Sequence, residues 1–416
     1  MRGRSKKKDS LSAAAEIPVL DADWPQWQGP NRDNLSTETG LLTQWPDEGP
    51  QMLWSAEGIG EGYSSVAIAD RKIYTTGMIE EQGILTCLDL KGKQLWQSNY
   101  GPEWKRSFPG TRCTPTVNKG FVYVISGTGQ IACFTAGTGD KHWQVDAFGK
   151  FQGRYSHWGF SESPLVFDDK IMMFIGGEET LAVALNVKDG SVAWTVPANG
   201  DKAAYCSPMA FKWRGKKIIA ATTDNHLIGL DSETGKVRWT VPHSAYLQGK
   251  NPGVYPNTPI VSDGRIFYSA GYGSGAVQLK LSADGSSVEK VWTNLEFDNH
   301  HGSIVLLDGF LYGSNWDGNK NGQWMCVDWA TGKTLYQHQW GKKGSLTCAE
   351  GMLYCYEESE GVVGLVKATP DGFTPISTFK IALGEKEHWS HPVIFGKRLY
   401  MRHGDVIMAF DIAGQS

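Results

Sequence analysis

Arg112, His157, Trp158, Glu162, Tyr205, Asn257, His300, His301, His388 and His391 are the side chains best suited to chemistry in this 416-residue chain. They cluster just ahead of short apolar runs that recur along the sequence. An arginine so placed can clamp a carboxylate, a glutamate can serve as base or cation ligand, and imidazoles can do either. The competing expectation is a wet channel in which these groups satisfy one another and bound water. The standard hydrolase signatures, G-x-S-x-G and H-E-x-x-H, are absent.

Two glycine-rich segments invite a ligand reading and then lose it. Asp317-Gly318-Asn319-Lys320-Asn321-Gly322, with Asp328 at the twelfth place, matches the first half of a calcium loop. Calcium takes several oxygen ligands on a sharply turning backbone, but such a loop joins two helices and closes on Glu. A Gly/Asn hairpin between strands is the better account, and no metal site is expected. Gly271-Tyr272-Gly273-Ser274-Gly275 lacks the Lys-Ser/Thr of a phosphate loop and has no helix after it, so it too is expected to be a turn.

The elements that must position these residues come from composition and period. Glycine numbers 50, tryptophan 17, and the net charge is −4. This glycine level exceeds the roughly 7% typical of soluble chains and fits many short strands and tight turns. No apolar stretch reaches the 18 residues of a membrane helix, and the near-neutral charge argues against nucleic acid. Residues 1–22, with Arg2, Arg4, Lys6, Lys7 and Lys8 at their start, are expected to be a disordered basic tail. No apolar core follows those charges, so the chain as given shows no signal peptide. The seven cysteines are expected to fill core positions as small hydrophobes.

A turn glycine followed by an aromatic recurs through the chain: Gly92/Trp96, Gly139/Trp143, Gly190/Trp194, Gly235/Trp239 and Gly332/Tyr336, with weaker copies at Gly285/Trp292 and Gly372/Phe379. Successive aromatics lie 47, 51, 45, 53, 44 and 43 residues apart. Each copy holds four short apolar or alternating runs separated by Gly, Asn and Asp, as in TPTV, FVYVIS, QIACFT and KHWQV. Four strands in about 45 residues make one propeller blade. The last copy stops at Gly414 before its aromatic strand, and Met52-Leu53-Trp54 is such a strand without partners. The sequence therefore predicts an all-β, eight-bladed propeller over residues 52–413, whose N-terminal strand completes the C-terminal blade. Residues 23–51, rich in Trp, are expected to strap across it. Trp54, Trp96, Trp143, Trp194, Trp239 and Trp292 are expected to dock each blade on the next.

The xLDxxTGKxxW pattern resembles the tryptophan-docking motif of quinoprotein-type propellers, a superfamily that includes quinoprotein alcohol dehydrogenases and the Bam complex B subunit. Trp24-Pro-Gln-Trp27-Gln-Gly-Pro-Asn-Arg32-Asp33 and Trp389–Arg402 resemble PQQ-binding-like propeller repeat proteins, including those of planctomycetes. The resemblance implies a periplasmic or secreted protein, and the missing signal peptide leaves a cytoplasmic location open. It implies two activities. One is a monomeric binding or assembly scaffold of the cell envelope, taking a protein or small molecule at the channel mouth. The other is an alcohol or sugar dehydrogenase using PQQ and Ca²⁺, with Glu162, Asn257 and Asp298 around the metal. The vicinal cysteine pair of those enzymes is missing, which favours the scaffold.

Overall fold

A computed structural model describes residues 23–414 except Lys250, Pro252, Asn319 and Lys320, so the expected basic tail lies outside the described residues. Eight sheets follow one another along the chain, seven of them built from four consecutive strands as successive antiparallel hairpins. Blade one runs from Ala67–Ala69 through Lys72–Ile79 and Gln82–Asp89 to Gln94–Pro102. The inner strands of the next six begin at Thr116, Leu165, Met209, Ile260, Ile304 and Gly344. In blade eight, Val393–Phe395, Arg398–His403 and Val406–Asp411 are completed by Met52–Ala56, antiparallel to Val406–Asp411. The N-terminal strand thus closes the ring, as the truncated last copy predicts.

The recurring tryptophan explains the recurring glycine, but across blades. A Cβ on Gly92 would come 2.5 Å from the Trp54 ring, and one on Gly139 2.6 Å from Trp96. Gly190, Gly235 and Gly332 meet Trp143, Trp194 and Trp292 in the same way. Each ring therefore lies on the turn of the following blade, where φ is positive and any side chain would collide. Trp54, Trp143, Trp194 and Trp292 add an indole hydrogen bond to a carbonyl of that turn, at 2.9–3.2 Å. Trp194→Ala is expected to lose about 3–5 kcal/mol in urea unfolding, because the site is buried and cannot collapse onto a turn backbone.

Trp239 departs from this pattern. Its ring lies against Gly229 of its own blade, and its Nε1 is buried without a partner. Trp213 takes over the contact with blade five, lying on Gly264 and donating Nε1 to the Ser282 carbonyl at 2.8 Å. The reason is local length. The inner strand of blade four, Met209–Trp213, has five residues where blades one, two, three and five have three, which carries Trp213 out to the neighbouring turns.

Residues 24–38 run through one end of the central channel and touch every blade. Trp24 pairs with Ile68 of blade one, and the Pro25 carbonyl accepts from Val117 of blade two. The buried Arg32 guanidinium donates to the carbonyls of Pro164 and Pro208, in blades three and four. Trp27 donates to Thr258 of blade five at 3.2 Å, and Gln28 to Ser303 of blade six at 3.3 Å. Leu35–Ser36 adds a short parallel strand to blade seven, and the Glu38 carboxylate takes the N–H groups of Gly396 and Lys397 in blade eight. All seven cysteines are free and buried.

Candidate functional site

The connections entering the inner strands, and the turns between second and third strands, lie at the end of the channel opposite residues 24–38. They bring most of the chemically capable residues to one mouth. Phe108 meets Trp389 at 4.9 Å between ring centroids, Trp389 meets His301 at 5.4 Å, and His301 meets His300 at 4.5 Å. His300 then meets Tyr272 at 5.2 Å, Tyr272 meets Trp158 at 6.5 Å, and Trp158 meets Tyr205 at 6.0 Å. Blades two, eight, six, five, three and four contribute in turn, so the rings form a collar leaning over the axis. Tyr63 and Trp316 pack onto it at 5.0 Å from Trp389 and Tyr272.

Polar bonds fix the collar. The Tyr205 hydroxyl accepts from the Trp158 amide at 3.1 Å, and the Tyr63 hydroxyl donates to Glu387 at 2.8 Å. Arg112 stands beside it, donating Nη2 to the carbonyls of Ser107 and Phe108 while Nη1 is buried without a partner. Lys343 pairs with Glu358, whose other oxygen lies 3.8 Å from His301 Nε2. His157 is exposed at the rim.

The remaining candidates have structural partners. His388 lies behind the rim, stacked on His403 at 3.8 Å with Nδ1 2.6 Å from the Tyr356 hydroxyl. His391 sits inside the channel against Trp27, ring centroids 4.4 Å apart. Its Nε2 donates to the His301 carbonyl at 2.9 Å, so Nδ1 is the acceptor facing the Ser303 hydroxyl. Buried Glu162 accepts the Phe174 amide on Oε2, while Oε1 has no partner. The Asn257 side-chain amide donates to the carbonyls of Ser269, Asn299 and His300. Asp298 accepts the N–H groups of Gly273 and Gly275 at 2.7 and 2.9 Å. Asp317 and Asn321 are exposed in the blade-six loop, and Asn319 lies outside the described residues.

Sequence reasoning missed Tyr63, Phe108, Tyr272, Trp316 and Trp389. It also missed a belt just below them, where the amides of Ser65, Thr114 and Ser163 donate to the hydroxyls of Thr114, Ser163 and Ser207 at 2.9–3.0 Å. The signal was present: Cys113-Thr114-Pro115, Glu162-Ser163-Pro164, Cys206-Ser207-Pro208 and Asn257-Thr258-Pro259 repeat a hydroxyl-Pro step in blades two to five.

Burial sets the protonation of this region. It pushes His300 down to about 3 and His388 and His391 to about 4, from the ordinary 6.5. Above pH 6.5 these rings are neutral folded or unfolded. Between 6.5 and about 4 the unfolded chain takes up protons that the native sites refuse, so these rings lower stability as pH falls. Glu103 and Asp298, raised by burial to about 7 and 6, act in the opposite sense, their stabilisation being lost as pH rises through those values. Total stability therefore mixes the two sets. Ring resonances separate them: His391 is expected to stay neutral to about pH 4 in an NMR titration, and His391→Gln to flatten the fall of stability between pH 6.5 and 4. A His391 titrating near 6.5 would contradict the sealed geometry.

A family profile described as outer membrane protein assembly factor BamB matches residues 80–338, more than half of the chain. The chain belongs to the BamB-type family of PQQ-like propellers. It is 22% identical over 255 residues to outer membrane protein assembly factor BamB of Yersinia pestis, covering 59% of this chain and 61% of that protein. It is 28% identical over 204 residues to the quinohemoprotein alcohol dehydrogenase ADH-IIG of Pseudomonas putida, covering 44% of this chain and 27% of the enzyme. The chain thus spans less than two thirds of either relative's own length. Among solved structures, BamB from Moraxella catarrhalis superposes with a TM-score of 0.63 at 15% identity, over 87% of this chain and 100% of that one. Quinohemoprotein alcohol dehydrogenase from Comamonas testosteroni gives 0.66 at 13%, over 95% of this chain and 81% of that one. At those identities the likeness is one of fold.

The quinone and calcium implied by the BamB-type family's enzyme relatives do not fit the residues present. Glu162 holds a backbone amide within blade three, while Asn257 and Asp298 tie blade five to the connection entering blade six, so each carboxylate or amide is engaged with backbone. Among the described residues no three His, Cys, Asp or Glu side chains lie together as a metal site. No two cysteines are adjacent to cap a flat ring.

Proposed function

We propose that this chain is a binding or assembly scaffold of the bacterial cell envelope, working as a monomer and docking a protein or small molecule on the aromatic mouth. The collar carries the reading: six blades place exposed or half-buried rings around one opening, and among the described residues no three His, Cys, Asp or Glu side chains gather there as a metal site. Aromatic rings of this kind give large contact area with a polar handle. The relatives' identity as outer membrane protein assembly factors supports the envelope, and among the described residues no helix is long and apolar enough to cross a membrane.

The rival is a PQQ-dependent alcohol or sugar dehydrogenase, favoured by the similarity to the Pseudomonas putida enzyme. Reconstitution with PQQ and Ca²⁺, followed by dye reduction with alcohols and sugars, separates the two. The scaffold reading expects neither quinone absorbance on the protein nor turnover. Saturable dye reduction would replace it with the dehydrogenase.

A further inference from the structure

The end of the channel opposite the collar is only half closed. Residues 24–38 cover blades one, two, seven and eight with backbone or carboxylate contacts to their strands, but reach blades three to six through the side chains of Arg32, Trp27 and Gln28 alone. Beneath those side chains opens a cavity of about 420 Å³. One wall is apolar, with Leu165, Phe211, Val261 and Leu306 coming from four successive inner strands. The other wall is polar and belongs to the strap, through Gln26 and Asp33. The Arg32 charge is already spent on Gln26 and two carbonyls.

Inner strands are sheet edges, and an edge with unpaired backbone groups is a template for another strand. The chain uses that template once itself: Leu35–Ser36 lies parallel to Cys348–Ala349 on the inner strand of blade seven. Blades four and five present equivalent edges to the cavity, among the described residues without a strap strand upon them. We infer that this cavity receives an extended peptide segment of a partner protein, added to the inner strand of blade four or five beside the strap. Strand geometry sends alternate side chains to opposite faces. Apolar residues at every second position would meet the Phe211 wall, while those between face Gln26 and Asp33. The two walls therefore select an alternating peptide over a wholly apolar one, and the backbone edge selects a peptide over a small amphiphile. This site is separate from the collar and stands whether or not the collar binds anything.

A phage-displayed library of random decapeptides, selected on the full chain, tests it. Enriched peptides are expected to alternate apolar and polar residues, to bind with a Kd on the order of micromolar by fluorescence anisotropy, and to weaken at least about tenfold against Phe211→Glu. N-methylation of alternate amides in the same peptide is expected to abolish binding to the unaltered protein, a comparison that needs no variant to fold. No enrichment, equal affinity for the methylated peptide, or binding unchanged by Phe211→Glu in a chain that melts normally would overturn the inference. So would binding of the apolar dye anilinonaphthalene sulfonate at Phe211 without peptide enrichment.

Discussion

Arg402→Met is expected to lower the stability of the ring by about 4 kcal/mol or more, read as a shifted midpoint in urea unfolding followed by tryptophan fluorescence. Arg402 stands on the second strand of blade eight and is almost fully buried. Its guanidinium donates across the seam to the carbonyls of Gly60, Ser64 and Thr76 and to the hydroxyls of Ser64 and Thr75, all in or leading into blade one. It also takes the Gly404 carbonyl of its own turn at 3.0 Å. Burial moves the group down only to about 10, so it stays charged at neutral pH. The nearby Asp405 faces the same seam, accepting the N–H groups of Gly58 and Gly60. Methionine fills much of the volume but leaves several buried acceptors without donors, and each costs about 1–3 kcal/mol. Arg402→Lys is expected to recover little, because a single ammonium cannot span acceptors spread over two strands. An unchanged midpoint for Arg402→Met would mean that strand pairing alone holds the seam.

The second large effect is expected at Arg32. Arg32→Met should cost about 3 kcal/mol, since the carbonyls of Pro164 and Pro208 are buried and neither proline can donate in return. Burial lowers this guanidinium only to about 10, so it stays charged at neutral pH. The loss should exceed that of a rim change such as Leu95→Ala, whose side chain is 45% exposed. Equal losses would show that residues 24–38 rest on the propeller without bracing it.

The ring was legible because a blade must repeat its turn and its aromatic strand. Gly139 and Trp143 appear four residues apart for the same reason that Gly190 and Trp194 do. What a repeat cannot state is which copies touch. The ring on Gly139 comes from Trp96, one copy earlier, and that pairing exists only once the blades are stacked. Gly49 was hidden for a related reason. It stands five residues before Trp54 instead of four, yet it meets the Phe379 ring as the missing turn of blade eight. The exchange of Trp239 for Trp213 followed from two extra residues in one hairpin, a length difference that apolar patterning does not register.

At the mouth, Arg112, Trp158, Tyr205 and His301 were legible because they precede inner strands. Tyr272 and Trp316 were not, because they sit in turns between second and third strands, where sequence shows a glycine-rich loop and says nothing of its lean. Glu162, Asn257 and Asp298 entered as a calcium set through the resemblance to quinoprotein dehydrogenases, whose metal is held by acidic and amide side chains. The structure gives each a backbone duty, a distinction that only hydrogen-bond partners reveal.

The seam also orders the birth of the molecule. Met52–Ala56 finds its partner only in Val406–Asp411, and Glu38 finds Gly396 and Lys397 some 358 residues later in the chain. During synthesis, blades one to seven can form as their hairpins emerge, since their contacts are local. The first strand of the propeller blades to be made must wait for the last one. Until then its edge toward blade eight stays open, so the growing chain carries an unpaired strand at Met52–Ala56 until Val406–Asp411 emerges to cover it.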